Sequence, residues 1–170
     1  MRGKFVKGRK LSALAEKFIN GECKVIYGPM YAFWFGEDVI TWSDCESLAL
    51  NAAWGTWLKE NFDFDLTNDN VFAMSILHEL GHYYTWDSFT EEEWDNDRQH
   101  EECINKAMTT ENFFEKQHEY FDMPTEKAAT TWAIETYKAN ASIMRRWNRR
   151  FACAIRHYEK QTGRVVFERC

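Results

Sequence analysis

At 170 residues, 45% of them apolar and 16% aromatic, the chain can bury a core without disulfide or metal staples, and its composition is not that of a disordered segment. A formal net charge of -6 gives no long-range attraction toward nucleic acid or anionic lipid, so neither is expected as a partner. The five cysteines are scattered without a CxxC pair, which points away from a disulfide framework or a cysteine metal site and fits reduced thiols in a cytoplasm.

The basic stretch Met1 to Lys10 leads into the amphipathic Leu11 to Ile19, not an unbroken apolar run, so no secretion signal is read. Leu11, Leu14, Ala15, Phe18 and Ile19 fall at helical spacing, and Asn20-Gly21 supplies a stop. Cys23 to Tyr27, Met30 to Phe35 and Val39 to Trp42 are short apolar runs separated by Gly28-Pro29 and Gly36-Glu37-Asp38, the pattern of three strands in a small antiparallel sheet. No apolar run is long enough to cross a bilayer.

Ser43 to Glu46 has the form of a capping box, and Leu48, Ala52, Trp54, Trp57 and Leu58 continue a helix to about Lys59. After a polar and aromatic connector, Ala73, Ile76, Leu77, Leu80 and Tyr84 predict a helix from about Asn70 to Tyr84 that buries this face. Thr90 to Glu93 forms a second capping box and opens another helix. Pro124 stands where a first-turn proline is tolerated, at the head of a helical tract that extends, bent, to Lys160. No repeat, low-complexity segment or linker divides the chain, so a single α+β domain over 1–170 is expected.

The predicted helix over 70–84 carries His78-Glu79-Leu80-Gly81-His82, an HExxH pattern. Residues four apart on a helix project from one face roughly 6 Å apart along the axis, so two imidazoles can grip one ion. Glu79 is rotated about 100° from His78, badly placed to ligate the same metal but well placed to act as general base toward a metal-bound water. A mid-helix glycine costs about 1 kcal/mol relative to alanine, so Gly81 implies close approach of another backbone.

A catalytic zinc takes three protein ligands and keeps one open position, which requires a third donor from outside this helix. Thr85 and Ser88 stand where a metzincin has its glycine and third histidine, which excludes that branch. The downstream donors are His100, His118, Glu126, Glu135 and an acidic run containing Asp95, Asp97 and Glu101. Glu126 is favoured, because Ala129 and Ala133 follow it on one helical face and would let that helix pack closely on Gly81. Glu135 remains a rival ligand, while His118 and Tyr137 remain candidate transition-state donors.

His78-Glu79-Leu80-Gly81-His82 and the segment Met123 to Ala133 around Glu126 resemble the zincin metallopeptidases, and within them the compact gluzincins that include phage and bacterial repressor-cleaving proteases. The resemblance spans mainly Val71 to Tyr137. It implies a zincin-like fold, with a small antiparallel sheet packed on several helices including the HExxH helix. It also implies zinc as cofactor, held by His78, His82 and Glu126. Larger gluzincins place an aspartate four residues after the ligand glutamate to orient a histidine. Thr130 stands there in this chain, which leaves the orienting partner unassigned, Asp122 being one candidate.

Two further signals have plainer readings. Arg145, Arg146, Arg149 and Arg150 interleave with Trp147 as in some single-strand binders. Ile143, Trp147, Phe151, Ala154, Ile155 and Tyr158, however, form an apolar stripe that leaves the arginines on the solvent side of an amphipathic helix. The acidic run from Asp87 to Glu102 lacks the ligand alternation and glycine of a calcium loop, and Cys103 has no motif that would make it a nucleophile. The expectation is a cytoplasmic zinc peptidase acting on a peptide or protein, with substrate held along the sheet edge. The alternative is a non-catalytic zinc-containing module that binds a regulatory partner such as a transcriptional repressor, a reading that the intact Glu79 disfavours.

Overall fold

The structure, a computed structural model, describes residues 16–17, 21, 23–27, 32–34, 39–42, 48–67 and 69–162. Of the helix expected over Leu11 to Ile19, only Glu16 and Lys17 are among them, and both are helical. Gly21 has φ 71° and its N–H donates to the Glu16 carbonyl at 2.7 Å, the left-handed closure expected of a glycine after a helix. The capping box at Ser43 to Glu46 lies outside the described residues.

Three strands, β1 (Lys24–Tyr27), β2 (Ala32–Trp34) and β3 (Val39–Trp42), form a sheet in the order β1-β3-β2. β3 pairs antiparallel with β2, Phe33 opposite Ile40, but parallel with β1, Val25 opposite Ile40. The sheet is therefore mixed, not antiparallel as the sequence predicts. Consecutive short strands do alternate in direction here, but β3, with Val39 and Ile40 both buried, takes the centre and separates β1 from β2. β1 and β3 run the same way because one strand lies between them in sequence.

Among the described residues six α-helices follow the sheet: α1 (Leu48–Phe62), α2 (Val71–Thr85), α3 (Glu91–Ala107), α4 (Phe113–Phe121), α5 (Pro124–Ala139) and α6 (Ala141–Thr162). α1 runs past the predicted Lys59 to Phe62, whose ring packs edge-on against Trp57, and Asp63 at φ 47° ends it. α3 begins on the predicted capping box. The Thr90 side chain accepts from the Glu93 N–H at 3.3 Å, and the Glu93 carboxylate accepts from the Thr90 N–H at 2.7 Å. α4 is not foreseen as a separate helix, although Asn112 stands at its N-cap with Glu115 in the first turn, and it packs on α1.

The tract predicted from Pro124 to Lys160 is two helices broken at Asn140. There the backbone leaves helical geometry at φ -122°, the Asn140 N–H closes α5 on Thr136 and Tyr137, and its carbonyl accepts from Ile143 and Met144 to start α6. The core joins α1, α2, α5 and the head of α6 through Trp57, Leu58, Met74, Leu77, Ala133, Ile134, Tyr137 and Met144. The side chains of Phe151, Ala154, Ile155 and Tyr158 in the predicted apolar stripe lie outside those described, and among the described ones two predicted burials do not hold. Tyr84 is 45% exposed, its ring stacked on Trp132, and Ile143 is 43% exposed while its neighbour Met144 turns inward. No helix among the described residues is long and apolar enough to cross a membrane.

Candidate metal centre

α2 is buried along almost its whole length, and its most extensive neighbour is α5. Gly81 sets the distance between them. A Cβ built at Gly81 would overlap the Ala129 carbonyl oxygen and lie 2.9 Å from its carbonyl carbon and Cα, closer than real side chains come. Glycine on one helix and alanine on the other thus let two backbones meet in the middle of the contact. One turn before Ala129, Glu126 enters the same interface and its short side chain reaches the histidines of α2.

The Glu126 carboxylate lies between the two imidazoles, with Oε2 3.1 Å from His78 Nε2 and Oε1 3.5 Å from His82 Nε2. Donors each about 2.0–2.1 Å from a tetrahedral zinc stand about 3.3 Å from one another, so these separations fit one ion. One ligand atom from each of His78, His82 and Glu126 lies within 4.8 Å of the others. Two imidazoles and a carboxylate also match the donor set of catalytic zinc in chemistry and number. Trp54 stands edge-on to His78 at 5.7 Å between ring centroids and Trp94 lies 6.3 Å from His82, so aromatic rings wall the histidines.

The orienting partner left unassigned by the sequence is Thr130 itself. Its hydroxyl lies 3.0 Å from His78 Nδ1, and the residue is 1% exposed. With the proton on Nδ1 the ring would donate to Thr130 and leave the Nε2 lone pair available to a metal ion, the tautomer a ligand needs, whereas a proton on Nε2 is donated to Glu126. Asp122, the candidate from sequence, pairs instead with Lys127 on the surface.

Burial raises the Glu79 carboxyl above its ordinary range, against the opposing charges of His78 and His82, and the Phe33 backbone N–H of β2 donates to it. Glu79 thus sits between the histidines and the outer strand of the sheet. Burial also disfavours an ionised Glu126, but the charge of His82 and the hydrogen bonds from His78 and His82 outweigh it and hold the carboxyl well below the usual range. For His82 burial favours the neutral ring, yet the Glu126 charge and hydrogen bond, aided by Glu79, raise its pKa. These groups form one coupled cluster of opposite charges.

Near the cluster, Tyr120 escapes sequence reasoning, and Glu101 enters it only as one member of the acidic run. The Tyr120 hydroxyl hydrogen-bonds to Glu126, and burial followed by the Glu126 charge pushes it well above the ordinary phenol value. Glu101 is raised by burial and then by the same Glu126 charge. Neither carries a local signal, since each belongs to a helix whose facing toward α5 is a tertiary event.

The rival donors lie elsewhere. His118 Nε2 is 3.1 Å from the Ala53 carbonyl and ties α4 to α1. Glu135 is exposed on α5, His100 pairs with Glu119 on the surface, and Tyr137 packs edge-on against Phe64 in the core. Asp97 accepts from the Thr125 N–H at 3.0 Å and hydroxyl at 2.8 Å, so it caps the first turn of α5. No protein-family model, curated protein or solved structure matches the chain.

Proposed function

We propose that this chain is a zinc-dependent peptidase in which His78, His82 and Glu126 hold the metal and Glu79 is the general base. The observation that carries this reading is the buried Glu79 carboxylate beside three converging metal donors on two tightly packed helices. Bound zinc would lower the pKa of a water to about 7 and polarise a scissile carbonyl.

The chain's own residues supply the rest. The Phe33 N–H and the two imidazoles orient the Glu79 carboxylate, and its raised pKa suits a group that takes a proton from water and returns it to the leaving amine. Thr130 holds the His78 ring, and Tyr120 donates to the Glu126 carboxylate. β2, whose Phe33 N–H donates to Glu79, is the strand beside the site, and an extended peptide lying alongside the sheet is the substrate proposed.

Elemental analysis of the purified protein is expected to find one zinc per chain, lost in His78→Ala and in Glu126→Gln but retained in Glu135→Gln and His118→Ala. Glu79→Gln keeps zinc and fold but loses hydrolysis in a proteome-wide cleavage comparison with the unaltered protein. Unchanged metal content in the ligand variants rejects the site. If the unaltered protein holds zinc yet cleaves no more than Glu79→Gln, the non-catalytic module replaces the peptidase.

A further inference from the structure

The net charge of -6 conceals a reversal of sign on α6, where Ala141–Thr162 contains five arginines and Lys160 against the single acid Glu159. At 100° per residue the six cations fall within an arc of about 140° and span about 22 Å along the axis. All six are exposed, and none forms an ion pair among the described residues. Other surface lysines and arginines do pair: Lys59 with Asp63, Arg98 with Asp95, Lys106 with Glu102, Lys127 with Asp122. Among the described residues, several surface cations are thus paired while the six of this face are not.

We propose that the cationic face of α6 docks on the phosphate backbone of duplex DNA. The opposite side of the helix is anchored in the protein, with Met144 and Asn148 buried and the Asn148 Oδ1 accepting from the Ala73 N–H of α2 at 3.1 Å. The head of α6, which carries Arg145, Arg146, Arg149 and Arg150, is therefore anchored to the protein on its other side. A membrane-surface helix turns its apolar side outward into lipid, whereas the side of α6 that carries Met144 faces the core, which disfavours an anionic bilayer.

Arginine accounts for five of the six cations, and its planar guanidinium suits paired hydrogen bonds to phosphate. Trp147 is half-buried with the Arg150 guanidinium 5.3 Å from its ring centroid, so the ring engages an arginine on one face rather than standing free for base stacking. Single-strand binders rely on such stacking, which favours a duplex. The B-DNA major groove is wide enough to admit a helix, whereas that of duplex RNA is narrow and deep. Contacts of this kind read phosphate and not base sequence.

The test is fluorescence anisotropy of the full chain with a short labelled DNA duplex of arbitrary sequence, beside the matching single strand and anionic phosphatidylserine vesicles. The duplex is expected to bind with a Kd of about 10⁻⁴–10⁻⁶ M at physiological salt, weakening about 10²–10³-fold between 50 and 200 mM salt for about five phosphate contacts. Combining Arg145→Gln, Arg149→Gln and Arg156→Gln should weaken binding at least about tenfold and flatten the salt slope by about three contacts. The corresponding Arg→Lys variant keeps the slope, and an equal charge change at Lys59, Lys106 and Lys127 changes nothing. Absence of duplex binding, equal loss in the control variant, or preference for vesicles or single strand overturns the proposal.

Discussion

The Thr130 hydroxyl is buried and lies 3.0 Å from His78 Nδ1, so under the proposed function its removal would act on the metal through the histidine. Thr130→Val keeps shape and takes away the partner, and zinc affinity is expected to fall about 10–100-fold. Thr130→Ser, which keeps the hydroxyl, retains most of it. Competition with a chromophoric chelator reads both, and Thr130→Val binding as tightly as the unaltered protein removes Thr130 from the site. The position is informative because Thr130 is a neutral acceptor, so His78 is oriented without a further buried carboxylate beside Glu79 and Glu126.

Between elements, the contact of α2 with α5 is the most exacting. Gly81→Ala would gain about 1 kcal/mol in helix propensity. The added methyl, however, meets Ala129 backbone, which cannot swing aside as a side chain can. The cost should reach or exceed the top of the range of about 1–3 kcal/mol for overpacking, and zinc binding should weaken as Glu126 is displaced. A thermal midpoint at or above that of the unaltered protein contradicts the close packing. The head of α3 offers a milder test, since Thr90→Ala should cost about 0.5–2 kcal/mol. Hydrogen bonds from the Thr90 N–H and hydroxyl hold the Glu93 carboxyl below its ordinary value. Its folded pKa therefore lies below its unfolded one. The cap contributes fully above the usual carboxylate range and is lost as pH falls through the folded value. The difference in chemical stability between the unaltered protein and Glu93→Gln should shrink over that acidic window.

Across the whole molecule, α6 stabilises the start of the motif helix from 75 positions away. Asn70 precedes α2 but does not cap it. Its side chain instead serves Thr67 and Asp65 in the preceding turn. The buried Asn148 Oδ1 takes the Ala73 N–H, one of the donors that a helix start leaves unsatisfied. Asn148→Ala should cost about 1–3 kcal/mol by leaving that group buried and unpaired. Urea denaturation measures it, and a loss confined to a few tenths of a kcal/mol would show that water serves the group equally well.

The features legible in the sequence are those that short-range physics controls. His78, Glu79 and His82 share a helix because their spacing follows the helical turn. The box at Thr90 and the proline at position 124 start helices by satisfying or omitting local N–H groups. Gly81 and Ala129 announced a close contact because a missing side chain in a helix costs energy that only packing offsets. Tertiary structure decided the rest. Which edges pair in the sheet, where Asn140 breaks the long tract, and how Thr130 and Tyr120 come to hydrogen-bond His78 and Glu126 depend on neighbours distant in the chain. A threonine or tyrosine in a helix looks the same in sequence whether it faces solvent or a buried histidine, because the energy that distinguishes the two is created only when the helices meet.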